Sequence, residues 1–207
     1  WRLKAELNTR STPLNHPQLN PLLDRLGAAM DLPRISPHVY EIPAVNGLAA
    51  PDGRIFITRG FLDRMEAGEV PPDEISGVVA HVLGHVAHGH SKRRMIDFAG
   101  QNVIRSVLLM TVGRFLPFIG TWLIGLALRA VAARLSRQDE FEADRFATAL
   151  LVKSGIGAAP QISLFRKLEK LTGGRGNAAP AWLLSHPHLE KRIAAIEANR
   201  RRWQEIS

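Results

Sequence analysis

The stretch Ala80-His81-Val82-Leu83-Gly84-His85-Val86-Ala87-His88-Gly89-His90 decides how this chain is read. It lies in a run predicted to be helical from about Asp73 onward, because Ile75, Val78, Val79, Val82, Val86 and Ala87 recur at three- and four-residue spacing. Pro71 and Pro72 precede the run, Asp73 can cap it and Glu74 suits its first turn. His81 and His85 stand four residues apart, so on a helix both imidazoles leave one face a turn apart. That spacing suits two nitrogen donors for one zinc ion. In the His-Glu-x-x-His motif of metalloproteases the residue after the first His is the Glu that takes a proton from the metal-activated water. Here that residue is Val82. The metal-holding half of the motif is present and its proton acceptor is missing.

A catalytic zinc needs a third protein donor and an open position. The best candidate is Glu140, on a separate predicted helix from about Leu123 to Lys153, with Asp144 one turn further along the same face. Asp144 is placed to accept the second ring N–H of a donor histidine. Ala143, Phe146, Ala147 and Leu150 indicate that this part of the helix is packed rather than solvated. The local alternative fails: a third histidine six residues past His85 would complete a metzincin site, and that position is Ser91. His88 and His90 are read as surface histidines or as partners behind the metal donors.

The remaining sequence supplies a helical frame with a small sheet. Residues 1–12 are mixed and read as a strand, Arg2 to Leu7, or an arm. A helix follows Asn15-His16-Pro17 through Leu19, Leu23, Leu26 and Met30. His38 to Ile42, the 45–50 stretch and Arg54 to Thr58 are strand candidates, with Pro51-Asp52-Gly53 as a turn. Short helices are expected from Gly60 to Met65 and from Pro160 to Leu171, and an amphipathic one through Leu189, Ile193, Ile196 and Trp203. The apolar stretch 107–128, broken by Arg114 and Pro117, has an uncharged part too short to span a bilayer as a helix. It is expected to form a hairpin or lid, with a membrane-dipping segment or an oligomer interface as alternatives. Helices dominate, and the expected class is α+β, mostly helical, as a single domain over 1–207.

Composition agrees with a globular chain: 207 residues, 45% hydrophobic and 22% charged. Cysteine is absent, which removes disulfides and thiolate metal ligands. The net charge of +8 carries no zinc-finger or RNA-binding aromatic signature, so no nucleic-acid partner is expected. Basic residues flanking apolar segments fit an anionic membrane surface at least as well. The start at Trp1-Arg2-Leu3, without Met, fits a processed or trimmed piece.

Four motifs in order carry a family resemblance. Val78 through His85 with His88-Gly89-His90 resembles the HtpX-like zinc metallopeptidases, which include CAAX prenyl proteases and Oma-type mitochondrial proteases. Ser136-Arg137 through Glu140, Ala143 and Asp144 is similar to that family's downstream motif, and Ser185-His186-Pro187 with Arg192-Ile193 to its C-terminal histidine motif. Asn46 through Gly60 resembles the strand region bordering the substrate cleft. The resemblance implies a compact gluzincin-type domain with one zinc ion on His81, His85 and Glu140, and Asp144 behind them. It also implies Asn46 at the substrate, His186 near the developing oxyanion and a sheet edge able to pair with an extended polypeptide. Family members are usually membrane-associated endopeptidases of protein quality control, which points to the bacterial cell envelope. Val82 stands where the family has its catalytic Glu, so little or no turnover is expected. Two accounts of Val82 stand side by side: a silencing substitution, or a natural relative that binds peptides or partners without cleaving them.

Overall fold

The computed structural model describes residues 2–90, 106, 119–173 and 189–204. In chain order these give α1 (Arg2–Thr9), β1 (Ser11–Pro13), α2 (Asn20–Ala29), β2 (His38–Tyr40), β3 (Gly47–Ala49), β4 (Ile55–Thr58), α3 (Arg59–Glu66), α4 (Pro72–Ala87), α5 (Ile119–Lys153), α6 (Ala159–Gly173) and α7 (Leu189–Gln204). The class is the expected mostly helical α+β.

The four strands lie in the order β1-β2-β4-β3. β4 is central and buried along its whole length, which suits its run Ile55-Phe56-Ile57. β2 pairs with it in parallel, Val39 opposite Ile57. β3 pairs antiparallel, Leu48 opposite Phe56, and forms one edge. β1 forms the other edge, where Pro13 costs the sheet no inner hydrogen bond. The two-residue period of β4 splits the core. Ile55 and Ile57 join the main apolar cluster with α4, and Phe56 packs on the opposite face with Leu7, Tyr40 and Ala50.

That second cluster explains a departure from expectation. Residues 2–7 are helical in α1, not a strand or an arm. The polar–apolar alternation of Arg2 to Leu7 suggested a strand, but Leu3 and Leu7 are also one helical turn apart. Helical geometry lets Leu7 cover the outer sheet face and lets Glu6 accept the Tyr40 hydroxyl at 2.6 Å.

α4 is buried without interruption from Glu74 to His85, a helix enclosed on every side. It packs against α5, α6, α2 and the strands β3 and β4. Two glycines set its closest approaches. A methyl group at Gly84 would lie 2.8 Å from the Cα and carbonyl oxygen of Ala143, so α4 and α5 cross nearly backbone to backbone. One at Gly47 would lie 2.6 Å from a Val78 methyl and 3.2 Å from a Val82 methyl, so β3 lies directly on α4.

Of the apolar stretch 107–128, residues 119–128 belong to α5, which begins at Ile119 rather than near Leu123. Residues 107–118, and with them the expected hairpin or lid, lie outside the described residues. Among the described residues no helix is long and apolar enough to cross a membrane.

Candidate metal centre

The Gly84–Ala143 crossing brings α4 and α5 together at the residues singled out by the sequence. His81 Nε2 and His85 Nε2 are 3.2 Å apart. The Glu140 carboxylate oxygens lie 3.4 Å from His81 Nε2 and 3.5 Å from His85 Nε2. All three side chains are buried. A tetrahedral ion with bonds of about 2.0–2.1 Å to nitrogen and oxygen keeps its donors about 3.3–3.4 Å apart. The observed separations are of that size, with Glu140 Oε2 nearest His81 and Oε1 nearest His85, so these three residues could hold a metal.

Tautomer chemistry gives a second test of fit. His81 Nδ1 stands 2.9 Å from Asp144 Oδ1, a carboxylate that can only accept, so Nδ1 carries the proton and Nε2 presents a lone pair to the triangle. Two imidazole nitrogens and a carboxylate thus face each other in a buried site, an arrangement that a cation or an extra proton reconciles. Burial opposes a charge on His81, but its hydrogen bonds to Asp144 and Glu140 outweigh burial and raise its pKa. Asp144 shows the opposite balance. Burial would raise its pKa, but the Arg192 guanidinium, joined by the hydrogen bond from His81, holds it below the ordinary carboxylate value.

Arg192 lacked an assigned role at the sequence level. It is fully buried, donates from Nε to Asp144 Oδ2 at 2.6 Å and from Nη2 to Oδ1 at 2.8 Å, and lies 4.6 Å over the Phe165 ring. The two-pronged donation neutralises Asp144, and Nη1 also approaches Glu140 Oε2 at 3.4 Å, so the guanidinium serves both carboxylates. The signal was in the pattern: Leu189, Ile193 and Ile196 form the buried stripe of α7, and Arg192 lies on that stripe.

The other expected residues are placed as follows. Val82 is buried within the main apolar cluster beside Val78, facing β3. Asn46 leads into β3, its N–H and carbonyl both bonded to the Thr58 hydroxyl at 2.9 Å, its own Oδ1 accepting the Gly47 N–H. His186 lies outside the described residues. His88 is exposed, with Nδ1 2.8 Å from the Gly84 carbonyl. His90 is buried, with Nδ1 2.9 Å from His85 Nδ1.

The sequence profile of Peptidase family M48 matches residues 13–200. The chain belongs to peptidase family M48. Metalloprotease YcaL of Escherichia coli (strain K12) is 34% identical over 164 residues, which are 76% of this chain and 61% of that protein. Metalloprotease LoiP of the same organism is 29% identical over 182 residues, 86% of this chain and 70% of LoiP. The human mitochondrial metalloendopeptidase OMA1 is 23% identical over 179 residues, 81% of this chain and 33% of OMA1. The chain therefore spans about three fifths of YcaL and one third of OMA1. M48 membership makes this a metalloprotease scaffold and implies a metal.

Proposed function

We propose that this M48 chain binds one zinc ion on His81, His85 and Glu140 and presents a peptidase site whose own hydrolysis is slight, because Val82 replaces the general base. The two Nε2 atoms 3.2 Å apart, with Glu140 Oε2 3.4 Å from His81 and Oε1 3.5 Å from His85, support the metal part of this reading. Two imidazoles and one carboxylate favour zinc among the common divalent ions. When bound, zinc supplies Lewis acidity, drawing the pKa of a water toward about 7 and polarising a peptide carbonyl.

The chain's own residues divide the remaining work. Asp144 fixes the His81 ring with Nε2 toward the site, and Arg192 neutralises Asp144. By the family resemblance, the substrate runs extended along the strand region that Asn46 leads into. His186, by the family resemblance, stabilises the charge growing on the substrate carbonyl oxygen. Val82 can neither accept a proton nor hold a water by hydrogen bonding. Loss of general-base assistance costs about 10²–10⁴-fold in rate, or about 3–5 kcal/mol of barrier.

The test compares this chain with Val82→Glu, both analysed for bound zinc, in cleavage of casein. The expected result is zinc in both proteins and at least 100-fold faster cleavage by the Glu variant. Equal cleavage by the two would sink the assignment of Val82. Absence of zinc, unchanged by His81→Ala, would sink the metal centre.

A second reading, a peptide- or partner-binding module without catalysis, draws on the apolar setting of Val82 beside the strand β3. Zinc-loaded Val82→Glu that stays silent on casein while the parent chain binds unfolded peptide favours it. The charge of +8 supports a docking surface of anionic lipid at a bacterial cell envelope, tested by flotation with anionic vesicles at low salt.

A further inference from the structure

His81 has a carboxylate behind it, and the structure places a different device behind His85. For His85 Nε2 to offer its lone pair beside His81 and Glu140, the ring proton must sit on Nδ1. The group at Nδ1 is another imidazole: His90 Nδ1, 2.9 Å away, with both rings buried. One of two facing ring nitrogens must donate and the other accept. The far side of His90 decides which. His90 Nε2 lies 3.1 Å from Glu142 Oε2 and 3.6 Å from Asp139 Oδ1, both acceptors when ionised, so Nε2 carries the His90 proton and Nδ1 is left as the acceptor.

We propose that Glu142 and His90 form a relay of hydrogen bonds that holds His85 in its Nδ1–H tautomer with Nε2 turned into the donor triangle. His90 is thus a positioning residue for the metal centre, an inference that rests on the zinc reading above. The local fold is suited to this. α4 ends at Ala87, and Gly89 takes a left-handed φ of +65°, its N–H bonded to the Val86 carbonyl, so the chain turns back and His90 meets His85. On the other side α5 supplies Glu140 to the triangle and Asp139 and Glu142 to His90 from within one turn. The two halves of the centre therefore differ: a charged carboxylate orients His81, and a neutral imidazole backed by carboxylates orients His85.

Three variants of the full chain separate the relay from mere packing. In His90→Asn the amide oxygen stands where Nδ1 stood and still accepts from His85. In His90→Gln the amide reaches Glu142 but leaves His85 without its acceptor. His90→Ala removes both contacts. Zinc affinity, read by competition with a chromophoric chelator, is expected to fall about 10- to 100-fold in the Ala and Gln variants and to stay within a few-fold in Asn. Long-range ¹H–¹⁵N spectra of the metal-free proteins at alkaline pH, where the imidazoles are neutral, report the tautomer directly. His85 is expected as Nδ1–H in the parent chain and in Asn, with that preference lost in Ala and Gln.

An Nε2–H tautomer of His85 in the parent chain overturns the relay, as does equal zinc affinity across all four proteins. A second zinc per chain that disappears in His90→Ala also overturns it, because His90 would then be a metal donor together with Asp139 and Glu142. If the parent chain takes up no zinc, the zinc reading fails separately, and the metal-free spectra still decide the relay.

Discussion

Replacing Gly84 with Ala tests whether the α4–α5 crossing builds the metal centre. The added methyl would sit 2.8 Å from both the Cα and the carbonyl oxygen of Ala143, and 3.2 Å from its carbonyl carbon. Carbon atoms in contact prefer about 3.5–4.0 Å, so the helices must part by about 0.7–1.2 Å. The obstacle is backbone, which no rotamer change can move aside. Overpacking of this kind costs about 1–3 kcal/mol. Alanine returns about 1 kcal/mol of helix propensity, leaving a net loss of about 2 kcal/mol at the upper end of that range. For a chain of this size that lowers the melting temperature by about 4–8 °C. The same displacement stretches the 3.4 and 3.5 Å edges that run from α4 to Glu140 on α5, and metal sites tolerate about 0.2 Å. Zinc affinity is therefore expected to drop at least tenfold, about 1.4 kcal/mol. Gly77→Ala is the control on the same helix. Its methyl would meet Gln161 at 3.5–3.7 Å, ordinary contact, so it should raise the melting temperature by about 2–4 °C and leave zinc binding unchanged. Calorimetry and chelator competition on both variants decide the matter. Two variants with the same melting temperature and the same zinc affinity would refute the role given to the crossing.

Arg192→Met leaves the buried Asp144 carboxylate without its cation and is expected to cost about 3–5 kcal/mol by denaturant unfolding; a loss under about 1 kcal/mol would show that the pair is not desolvated as described. The pH dependence follows from His81. Its folded pKa lies above the ordinary 6.5, so the bonds of protonated His81 to Asp144 and Glu140 stabilise the metal-free chain fully below pH 6.5. That contribution is lost as pH rises through the folded value. With zinc on His81 as proposed, the ion displaces the same proton, so its affinity should climb across that window, measured by titration at several pH values; a flat profile would contradict this. Chelation of zinc from protein held at about 100 times its dissociation constant should lower the melting temperature by about 5–11 °C, the equivalent of about 2.7 kcal/mol, and no shift would count against a metal bound in the folded state.

Much of this molecule was legible from spacing. The four-residue step from His81 to His85, and from Glu140 to Asp144, fixed which side chains share a helix face, because helical geometry converts sequence separation directly into direction. The apolar periods of α2, α4 and α7 and the short runs of β2, β3 and β4 followed from the same rule. At residues 2–7 spacing failed, since six residues can satisfy a two-residue and a four-residue period at once, and only the sheet face waiting for Leu7 selects the helix. The three residues of β1 were too few to show a period at all.

Convergence was beyond the sequence. Glu140 meets the two histidines across 59 and 55 residues of chain because Gly84 lets two backbones nearly touch, and no local pattern encodes a distance between helices. The same holds for Arg192, whose place on an apolar stripe was visible but whose partner Asp144 was not. It holds again for His90, which the sequence leaves as either a surface histidine or a partner behind the metal donors, until Gly89 turns it back onto His85. Sequence determined the chemistry on offer and the face each group occupies. The packing of α4, α5 and α7 decided which of those groups meet in the buried interior, because ion pairing and metal coordination depend on separations that only tertiary contact sets.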